Sequence, residues 1–439
     1  MLEVFDIKPH TKPHLGKIIK ELREHKGMSQ DDLARITFLN RSMLSQIELG
    51  NKNCPDDVLS VIKAALGLEN LPLCQMERSN FKDRLYKWYS VISERNLNQA
   101  KELKEKLSII RLVPHDRELN ILFSLFECRL LLGLKELTEA KKILDEFEAN
   151  IDELSDIHLY HYHYNQGTYF VRSAQNQTAL DCYLKAYELM KCGLEKNLPL
   201  YFNIAICYER LGKISLSTTF LEAARRLHSE GNNTVPAFSL YSFLGANYAR
   251  AGNLQISKFL LDKAYTIALN NYETNANENT EIDLCIVLVN MGYMFRLAKR
   301  WNMAIECLDK AMQHIAKETT HYLEAVYQKV RCLIEMRTPL FCTNLLAEGA
   351  LLSKGDETYT VLFDALSCLI NPTENSVKKL ELKILPYLLE NNCYILALEY
   401  SKFIRDYYKS RRGFKTKALN MSDIICTILH HVYEGGVIE

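Results

Sequence analysis

A spacing pattern that recurs four times in the middle of the chain constrains its fold more than any other feature. In the first copy, Gly167 is followed by Phe170 and then by Ala179, Tyr183 and Ala186. The remaining copies repeat these offsets with small and apolar residues and begin at Ala205, Gly245 and Gly292. Small residues at such intervals let two antiparallel helices pack closely, so each copy predicts a helical pair.

The offsets are those of the tetratricopeptide repeat. Weaker copies lie around Trp88, Cys128, Val330 and Leu388. One repeat cannot bury its apolar face alone, and neighbouring repeats therefore stack into a right-handed superhelix with a concave surface. Gly (17) and Pro (10) are sparse in the 439 residues, which agrees with a helical chain. We expect the array from about residue 81 onward, with the Asn-rich connection at 270–281 forming a mobile loop.

Residues 15–67 carry a second pattern, four short helices in succession. Ser29 with Asp32 three residues later is a capping box for the second helix. Asn40 is placed to cap the third helix, and Gly50 closes it. Two short helices joined by a tight turn, the second with polar side chains outward, are the layout of a helix-turn-helix.

The third of these helices has the division of faces that reading DNA requires. Leu44 and Ile47 face the core, while its Arg, Ser and Gln side chains suit base edges and its Met suits a thymine methyl group. Positions at the start of the second helix and after the third are suited to phosphates. The predicted DNA-binding residues are Gln30, Arg41, Ser42, Met43, Ser45, Gln46 and Lys52, with Asn53 as a further phosphate candidate.

The charge balance limits which kind of nucleic-acid binding we expect. The formal net charge is zero, and residues 1–70 hold ten basic and ten acidic side chains. This argues against a protein that coats nucleic acid without regard to sequence, because such proteins are basic. A small four-helix domain used only for protein contacts is the alternative interpretation of this segment.

Two aligned rows of polar residues predict a ligand groove on the concave surface. Two positions before the small residue, four of five repeats carry a carboxamide, and five positions after it three of five carry Arg. A carboxamide can accept a hydrogen bond from a peptide N–H and donate one to a peptide carbonyl, and Arg binds a carboxylate bidentately. The predicted peptide-binding residues are Tyr164, Asn165, Arg172, Phe202, Asn203, Arg210, Arg250, Asn290, Tyr293 and Gln328. Alternatively, the carboxamides bond neighbouring helices or water within the scaffold.

Several other functions are disfavoured. The chain has no P-loop, Rossmann glycine run, GxSxG or HExxH motif, so we expect no enzyme activity, no catalytic residue and no cofactor. Its thirteen scattered cysteines fit free thiols in a reducing cytosol. His158 and His161 share a helical face, but we expect them to pack rather than to bind a metal. Neither a membrane-spanning run nor a secretory signal is evident, which predicts a cytoplasmic protein.

The words MSQDDLA, NRSMLSQIELGNKN and LSVIKAALGL occur in order within residues 13–68 and closely resemble the Cro/C1-type helix-turn-helix family. The chain departs from that family at Phe38, which stands in the turn where glycine is usual. The geometry of this turn is therefore expected to differ from the family's.

Such a domain fused to tetratricopeptide repeats resembles the RRNPP family of peptide-sensing regulators. The resemblance implies a quorum-sensing homodimer, transcription switched by a secreted and re-imported short peptide, and groove asparagines (Asn165, Asn203 and Asn290) that hold the peptide backbone. We expect the DNA-binding domain at 1–72 and the peptide-sensing and dimerisation domain at 73–439. Two alternatives remain. One is a Rap-like protein that binds a response regulator and modulates its phosphorylation, and the other is a repeat scaffold that does not bind DNA.

Overall fold

The computed structural model describes residues 15–67, 75–94, 96–109, 117–193, 196–231 and 235–433. Regular structure in these residues is helical, without strands. The chain divides into two compact units, Met1–Asn165 and Gln166–Glu439, which are described in turn. The expected domain boundary at 72/73 lies outside the described residues, and it stays a prediction.

The first unit is built from helices of two kinds, four short ones and then longer pairs. The short helices are α1 (Leu15–His25), α2 (Gln30–Thr37), α3 (Arg41–Leu49) and α4 (Asp56–Ala65). The longer ones are α5 (Gln75–Ser93), α6 (Leu97–Ile109), α7 (Arg117–Gly133), α8 (Leu137–Glu148) and, after a 3-10 turn at Ile151–Glu153, α9 (Asp156–Arg172), which crosses into the second unit.

The second unit continues with helical pairs to the end of the described chain. Its next helices are α10 (Asn176–Lys191), α11 (Leu198–Arg210), α12 (Ile214–Ser229), α13 (Ala237–Arg250), α14 (Leu254–Thr274), α15 (Glu278–Leu297), α16 (Trp301–Gln313) and α17 (Thr320–Glu335). They are followed by α18 (Pro339–Leu352), α19 (Glu357–Ile370), α20 (Glu374–Lys379), a π-helical stretch (Leu380–Ile384), α21 (Leu385–Glu390), α22 (Tyr394–Lys409) and α23 (Lys415–Tyr433). Within the described ranges, every helix is too short or too polar to cross a membrane.

The four short helices enclose a small apolar core of their own. Its buried residues are Ile19, Leu33, Ala34, Leu44, Ile47, Val58, Leu59, Ile62 and Leu66. Gly16 lets α1 approach the backbone of α3, because a Cβ at this position would lie 1.7 Å from the Ile47 carbonyl oxygen. These contacts fix the rotation of α3 about its own axis.

The predicted caps of α2 and α3 are confirmed. The hydroxyl of Ser29 accepts from the backbone N–H of Asp32 (3.1 Å), and the carboxylate of Asp32 accepts from the N–H of Ser29 (2.9 Å). Asn40 accepts from the N–H of Ser42 (2.8 Å). At the C-terminal end of α2, Phe38 adopts the left-handed conformation (φ 53°) that glycine would take more easily.

The weaker repeat copies of the first unit form helical pairs as well. The indole N–H of Trp88 in α5 donates to the carbonyl of Ala100 in α6 (2.9 Å). The thiol of Cys128 in α7 donates to the carbonyl of Ala140 in α8 (3.7 Å). Both pairs span 12 residues, the interval at which the repeat places a small residue against its partner helix.

In the second unit, helices pack through the small residues that the spacing singled out. A Cβ on Gly245 would lie 2.6 Å from the side chain of Leu261, and one on Gly292 would lie 2.7 Å from that of Leu308. In both pairs the second residue follows the glycine by 16 positions, as the repeat pattern predicts. The two helices of each pair therefore approach more closely than an alanine would allow.

The connection at 270–281 differs from the expected mobile loop. α14 continues to Thr274 and α15 begins at Glu278, so three residues join them. Asn277 caps α15 by accepting from the backbone N–H groups of Asn279 and Thr280. The prediction was wrong because asparagine favours helix caps as well as loops, and here one asparagine starts a helix.

The C-terminal helices contact repeats that are distant in sequence within the second unit. The ring of His431 donates through Nε2 to the carbonyl of Leu211 (2.9 Å), and the hydroxyl of Tyr433 donates to the carbonyl of Arg250 (2.9 Å). Tyr394 of α22 stacks on His431, with ring centres 3.9 Å apart. In a simple array each repeat contacts only its neighbours, so the pair α22–α23 adds a long-range connection.

Candidate functional site

The outward face of α3 is the candidate DNA-reading surface. Leu44 and Ile47 are buried in the core beneath it. The predicted base-contacting residues are exposed or half-buried: Arg41, Ser42, Met43, Ser45 and Gln46. The guanidinium of Arg41 pairs with Asp31 at 3.3 Å, and both side chains remain open to solvent. Met43 also packs against that core, so the described helix presents the polar side chains of its Arg, Ser and Gln residues on its outward face.

A buried ion pair positions α3 relative to the two helices before it. Glu48, 5% exposed, accepts from Nε of Arg23 (2.7 Å), and this hydrogen bond raises the pKa of Arg23. Gln30, which is predicted to contact a DNA phosphate, donates to the same carboxylate (2.8 Å). Its carboxamide therefore joins α2 to α3 in this structure, while Lys52 is exposed in the turn after α3. Phosphate contacts by both residues stay predictions.

In the first unit, the predicted groove residues Tyr164 and Asn165 lie in the interior. Asn165 is 2% exposed, and its amide nitrogen donates to the carbonyl of Leu125 (2.7 Å). The hydroxyl of Tyr164 accepts from Arg129 (3.2 Å). In this conformation Asn165 fastens α9 to α7, which is the role that the alternative interpretation gives it.

In the second unit, the carboxamide row links successive helices. Asn290 donates to the hydroxyl of Ser242 on the preceding repeat (2.9 Å). Gln328 is buried, donates to Glu324 (2.8 Å) and accepts from Arg296 (3.2 Å). These two carboxamides are therefore engaged inside the scaffold of this conformation.

The middle of the predicted groove is more accessible. Phe202 and Asn203 are half-buried, and Phe202 packs edge-on against Phe243 with ring centres 5.6 Å apart. Arg172 and Arg210 are exposed. These four predicted residues offer an aromatic surface, a carboxamide and two cations to a ligand.

Arg250 and Tyr293 belong to a more buried part of the predicted groove. Arg250 donates to Glu209 (2.7 Å) and to Asn247 (2.9 Å). The ring of Tyr293 lies beneath two guanidinium groups, 5.9 Å from Arg250 and 5.3 Å from Arg296. Burial raises the pKa of Tyr293 to about 12, so its hydroxyl remains protonated at neutral pH.

Sequence reasoning missed an ion cluster beside Tyr293. Glu399 of α22 accepts from Arg296 of α15 (3.0 Å) and pairs with Arg331 of α17 (2.6 Å). Arg296 also donates to Glu335 (2.7 Å). Burial alone would raise the pKa of Glu399, but the two guanidinium groups outweigh it and lower that pKa. The cluster ties the C-terminal helices to two repeats.

A second missed group surrounds Arg129 in the first unit. Its guanidinium lies over the ring of Tyr164 (4.5 Å), and Tyr160 stacks parallel to that ring at 6.1 Å. The hydroxyl of Tyr160 is buried and has no hydrogen-bond partner in the described chain. Burial raises the pKa of Tyr160 well above its usual value, so this hydroxyl is a neutral donor.

Two of the three missed arginines, Arg129 and Arg331, occupy one register of the repeat. Arg129 directly follows Cys128, and Arg331 directly follows Val330, the residues at the small position of two weaker copies. The prediction aligned the positions two before and five after the small residue, and of the residues that directly follow it, it took only Tyr293. Comparing the residue directly after Cys128 with the residue directly after Val330 would have shown that both are Arg.

The histidines of α9 pack in the first unit. His158 bonds through its two ring nitrogens to the hydroxyl of Ser155 (2.9 Å) and to the carbonyl of Glu118 (3.1 Å). His161 packs edge-on against Phe126, and burial lowers its pKa to about 3. Among the described residues, no three potential ligands are grouped as a metal would require.

Sequence comparisons find relatives over most of the chain. Residues 16–72 match the family described as "Helix-turn-helix domain". The chain is 22% identical over 399 residues to the transcriptional activator NprA of Geobacillus stearothermophilus, covering 86% of this chain and 94% of that one. It is 21% identical over 346 residues to the regulatory protein RapD of Bacillus subtilis (strain 168), covering 76% and 95%.

Solved structures share the fold. The apo form of the quorum sensor NprR from B. thuringiensis matches with a TM-score of 0.62 at 18% identity, covering 80% of this chain and 99% of that one. NprR in complex with its cognate peptide NprX gives 0.61 at 18% identity, with the same coverage. A Rap protein complexed with competence and sporulation factor gives 0.63 at 16% identity, again with 80% and 99% covered. The expected fold class, all-α with an N-terminal helix-turn-helix followed by a superhelix of tetratricopeptide-like repeats, is confirmed.

Proposed function

We propose that this chain, whose resemblance to the RRNPP family of peptide-sensing regulators is confirmed by its relatives, is a sequence-specific transcriptional regulator switched by a short peptide. The observation that carries the proposal is the polar face of α3, held outward by a buried core. It lies in a chain that is similar over 86% of its length to a transcriptional activator.

In the proposed complex, α3 lies in the major groove of an operator. Arg41 reads a guanine edge and Gln46 an adenine edge, because these side chains match those bases bidentately. Lys52 and Gln30 hold phosphates and set the register. The protein acts as a homodimer, since half-sites about 34 Å apart are matched by a protein with two-fold symmetry.

A mobility shift on the protein's own upstream region tests the proposal. The double variant Arg41→Ala/Gln46→Ala is expected to lose at least about thirtyfold in operator affinity, because each bidentate base contact contributes about 1–3 kcal/mol. The control is Lys141→Ala/Lys142→Ala, which removes two cations from the surface of α8. Equal affinity of the double variant and the wild type would contradict the proposed reading surface.

We assign the peptide to the accessible middle of the predicted groove. The proposal rests on the exposure of Arg172 and Arg210, on half-buried Phe202 and Asn203, and on the NprR structure, which is described as a complex with its cognate peptide. Tyr164, Asn165 and Gln328 are buried, so a peptide would reach them only after bonds within the scaffold break. Arg210 remains exposed while it donates to Asn176 (3.4 Å). Peptide shifts DNA binding only through different affinities for two forms of the repeats.

The peptide step is tested by operator affinity with and without the peptide encoded by a neighbouring open reading frame. We expect a shift of at least tenfold, within the ~5–150-fold range of typical allosteric coupling. Asn203→Ala should abolish the shift and leave basal DNA binding intact. Peptide that binds without altering operator affinity would contradict the switch.

A second candidate function is favoured by the similarity to RapD, of which the chain covers 95%. In this proposal the first unit binds a response regulator and modulates its phosphorylation. The assay is the lifetime of a phosphorylated response regulator with and without the full chain. An unchanged lifetime argues against this candidate and leaves the DNA-binding proposal standing.

A further inference from the structure

The hairpin between the end of α22 and the start of α23 is the most basic stretch of its length in the chain. Residues 402–417, called the basic hairpin below, hold seven Lys or Arg side chains against one acid, Asp406, in a protein of zero formal net charge. The cations are Lys402, Arg405, Lys409, Arg411, Arg412, Lys415 and Lys417. Nothing in the proposed peptide groove or in the helix-turn-helix uses them.

Most of these cations are open to solvent and lack a counter-charge. Five of them are exposed: Lys402, Lys409, Arg411, Arg412 and Lys415. Arg405 pairs with Asp406 at 2.8 Å. In the described part of the chain, no other carboxylate lies within ion-pair distance of these seven cations, although Glu381 accepts from the hydroxyl of Tyr408 in the hairpin. A solvated charge run inside an ordinary helix alternates in sign and pairs with itself, as Lys258 and Asp262 do in α14.

Aromatic rings beneath the hairpin hold part of the charge in place. The guanidinium of Arg411 lies 4.3 Å from the ring centre of Tyr407. The ammonium of Lys417 lies 5.2 Å from Tyr408, whose ring stacks on Phe414 at 5.3 Å. These rings are buried or half-buried, so they support the cations and are not themselves presented to a partner. A guanidinium that is already held loses less conformational entropy when it binds an anion.

The charge extends to the neighbouring helix. Glu374 at the start of α20 has a lowered pKa, chiefly because Lys378 donates a hydrogen bond to it (3.0 Å), with Lys417 and Arg411 adding to the effect. Glu374 is thus already bonded within its own helix, and a second acid, Glu381, accepts from the hydroxyl of Tyr408 in the hairpin. The surface around the hairpin therefore keeps an excess of positive charge.

Such a set of cations suits a polyanion as its binding partner. We take this partner to be duplex DNA, which the cations would bind through its phosphates. Phosphate contacts supply most of the affinity of DNA-binding proteins. The segment 1–70 supplies few, because its ten cations are matched by ten acids and Arg23 is neutralised inside it by Glu48. An anionic membrane is less favoured, because surface-binding segments insert aromatic or apolar side chains and these rings are covered.

We propose that the basic hairpin is a second, sequence-independent DNA contact, which binds phosphates while α3 reads bases. The proposal rests on the proposed DNA-binding function. If the hairpin binds phosphates, affinity for the operator and affinity for unrelated DNA both depend on its charges. Both affinities should then fall more steeply with salt than they would if the helix-turn-helix, which has no net charge, bound DNA alone.

The test uses the full-length protein with its own upstream duplex and with an unrelated duplex of equal length, titrated at several salt concentrations. The variant is Lys409→Glu/Arg411→Glu/Arg412→Glu. The matched control, Arg225→Glu/Arg226→Glu/Lys258→Glu, makes the same change of charge on α12 and α14. We expect the slope of log K against log salt to fall by about 0.9 for each phosphate that the variant no longer neutralises. Both affinities should fall by an equal factor, roughly tenfold or more at ~0.1 M salt, while the control keeps the wild-type slope.

Equal slopes for the hairpin variant and the control would overturn the proposal. The proposal would also be overturned if the hairpin variant kept both DNA affinities and lost only its sedimentation with vesicles that contain anionic phosphatidylglycerol. In either case, sequence-specific binding by the wild type would leave the proposed function intact. Arg41→Ala/Gln46→Ala should do the opposite, losing discrimination between the duplexes while retaining the binding to unrelated DNA. A wild type that binds neither duplex would overturn both proposals.

Discussion

At the scale of single residues, backbone strain lies in the turn that precedes α3. Phe38 has φ 53° and is 95% exposed, so its side chain contributes little packing to offset a left-handed backbone. That conformation costs a residue with a Cβ roughly 1–2 kcal/mol. We predict that Phe38→Gly stabilises the helix-turn-helix by about 0.5–1 kcal/mol after the greater unfolded-state entropy of glycine is subtracted.

Hydrogen exchange of the slowest amides in α2–α4, in the full chain, measures this change. Phe38→Ala is the matched control, because alanine also lacks the ring but still carries a Cβ. Equal protection in the two variants would show that the left-handed turn stores no strain.

For the buried pair of Arg23 and Glu48, we predict that a substitution destabilises the helix-turn-helix. Arg23→Met leaves the carboxylate of Glu48, whose side chain is 1% exposed, with only the neutral Gln30 as a hydrogen-bond donor from another helix. Breaking a buried pair in this way costs about 3–5 kcal/mol. The same exchange measurement should show that Arg23→Met/Glu48→Met recovers most of this loss. A single variant as stable as the wild type would contradict a buried pair.

At the scale of helices, the close approach within a repeat can be tested by a mutant cycle. Gly245→Ala places a methyl group against Leu261 and should destabilise the second unit by about 1–3 kcal/mol, as overpacking does. Leu261→Ala should cost about 2–5 kcal/mol. Because the smaller side chain makes room for the methyl group, the double variant should lose at least about 1 kcal/mol less than the sum. Additive losses in urea unfolding would show that the two residues do not meet.

The helical pairs were predictable because their contacts are local in sequence. Gly245 meets Leu261 at an interval that all four of the regular copies share, and the caps of α2 and α3 span two or three residues. The same periodicity placed Asn165 on one side of its helix, but it did not show that the carbonyl of Leu125 would occupy its amide. Spacing reports which face a residue lies on, and the partner on that face depends on packing.

At the scale of the whole second unit, the charges of its cluster come from three distant helices. Glu399 follows Arg296 by 103 residues, an interval that no local pattern records. Glu399→Ala leaves two buried guanidinium groups with only Glu335 for compensation, so it should destabilise the unit by about 3–5 kcal/mol. Glu390→Ala on the exposed surface of α21 is the control and should cost less than about 0.5 kcal/mol.

The stabilisation by Glu399 should also depend on pH. Its pKa is lower in the folded protein than in the unfolded chain, so the ionised carboxylate stabilises the fold above about pH 4.3, the unfolded value. That contribution is lost as the pH falls through the lower folded pKa. The difference in unfolding free energy between the wild type and Glu399→Ala, measured by urea titration, should therefore shrink below about pH 4. A constant difference down to about pH 2 would contradict an ionised Glu399.

The contacts of α23 decide whether the second unit behaves as an open array or as a closed one. In an open array the terminal helices fray first, because they have one neighbour. Here His431 and Tyr433 reach the carbonyls of Leu211 and Arg250, 220 and 183 residues away. We therefore predict that amides of Lys415–Tyr433 exchange as slowly as those of α11–α13. Each hydrogen bond contributes about 0.5–1.5 kcal/mol, so His431→Ala/Tyr433→Phe should accelerate exchange in α23 roughly five- to hundredfold and leave α16 unchanged. Fast exchange of α23 in the wild type would mean that these contacts do not close the unit. Slow exchange that survives the double variant would assign its protection to the packing of α22 alone.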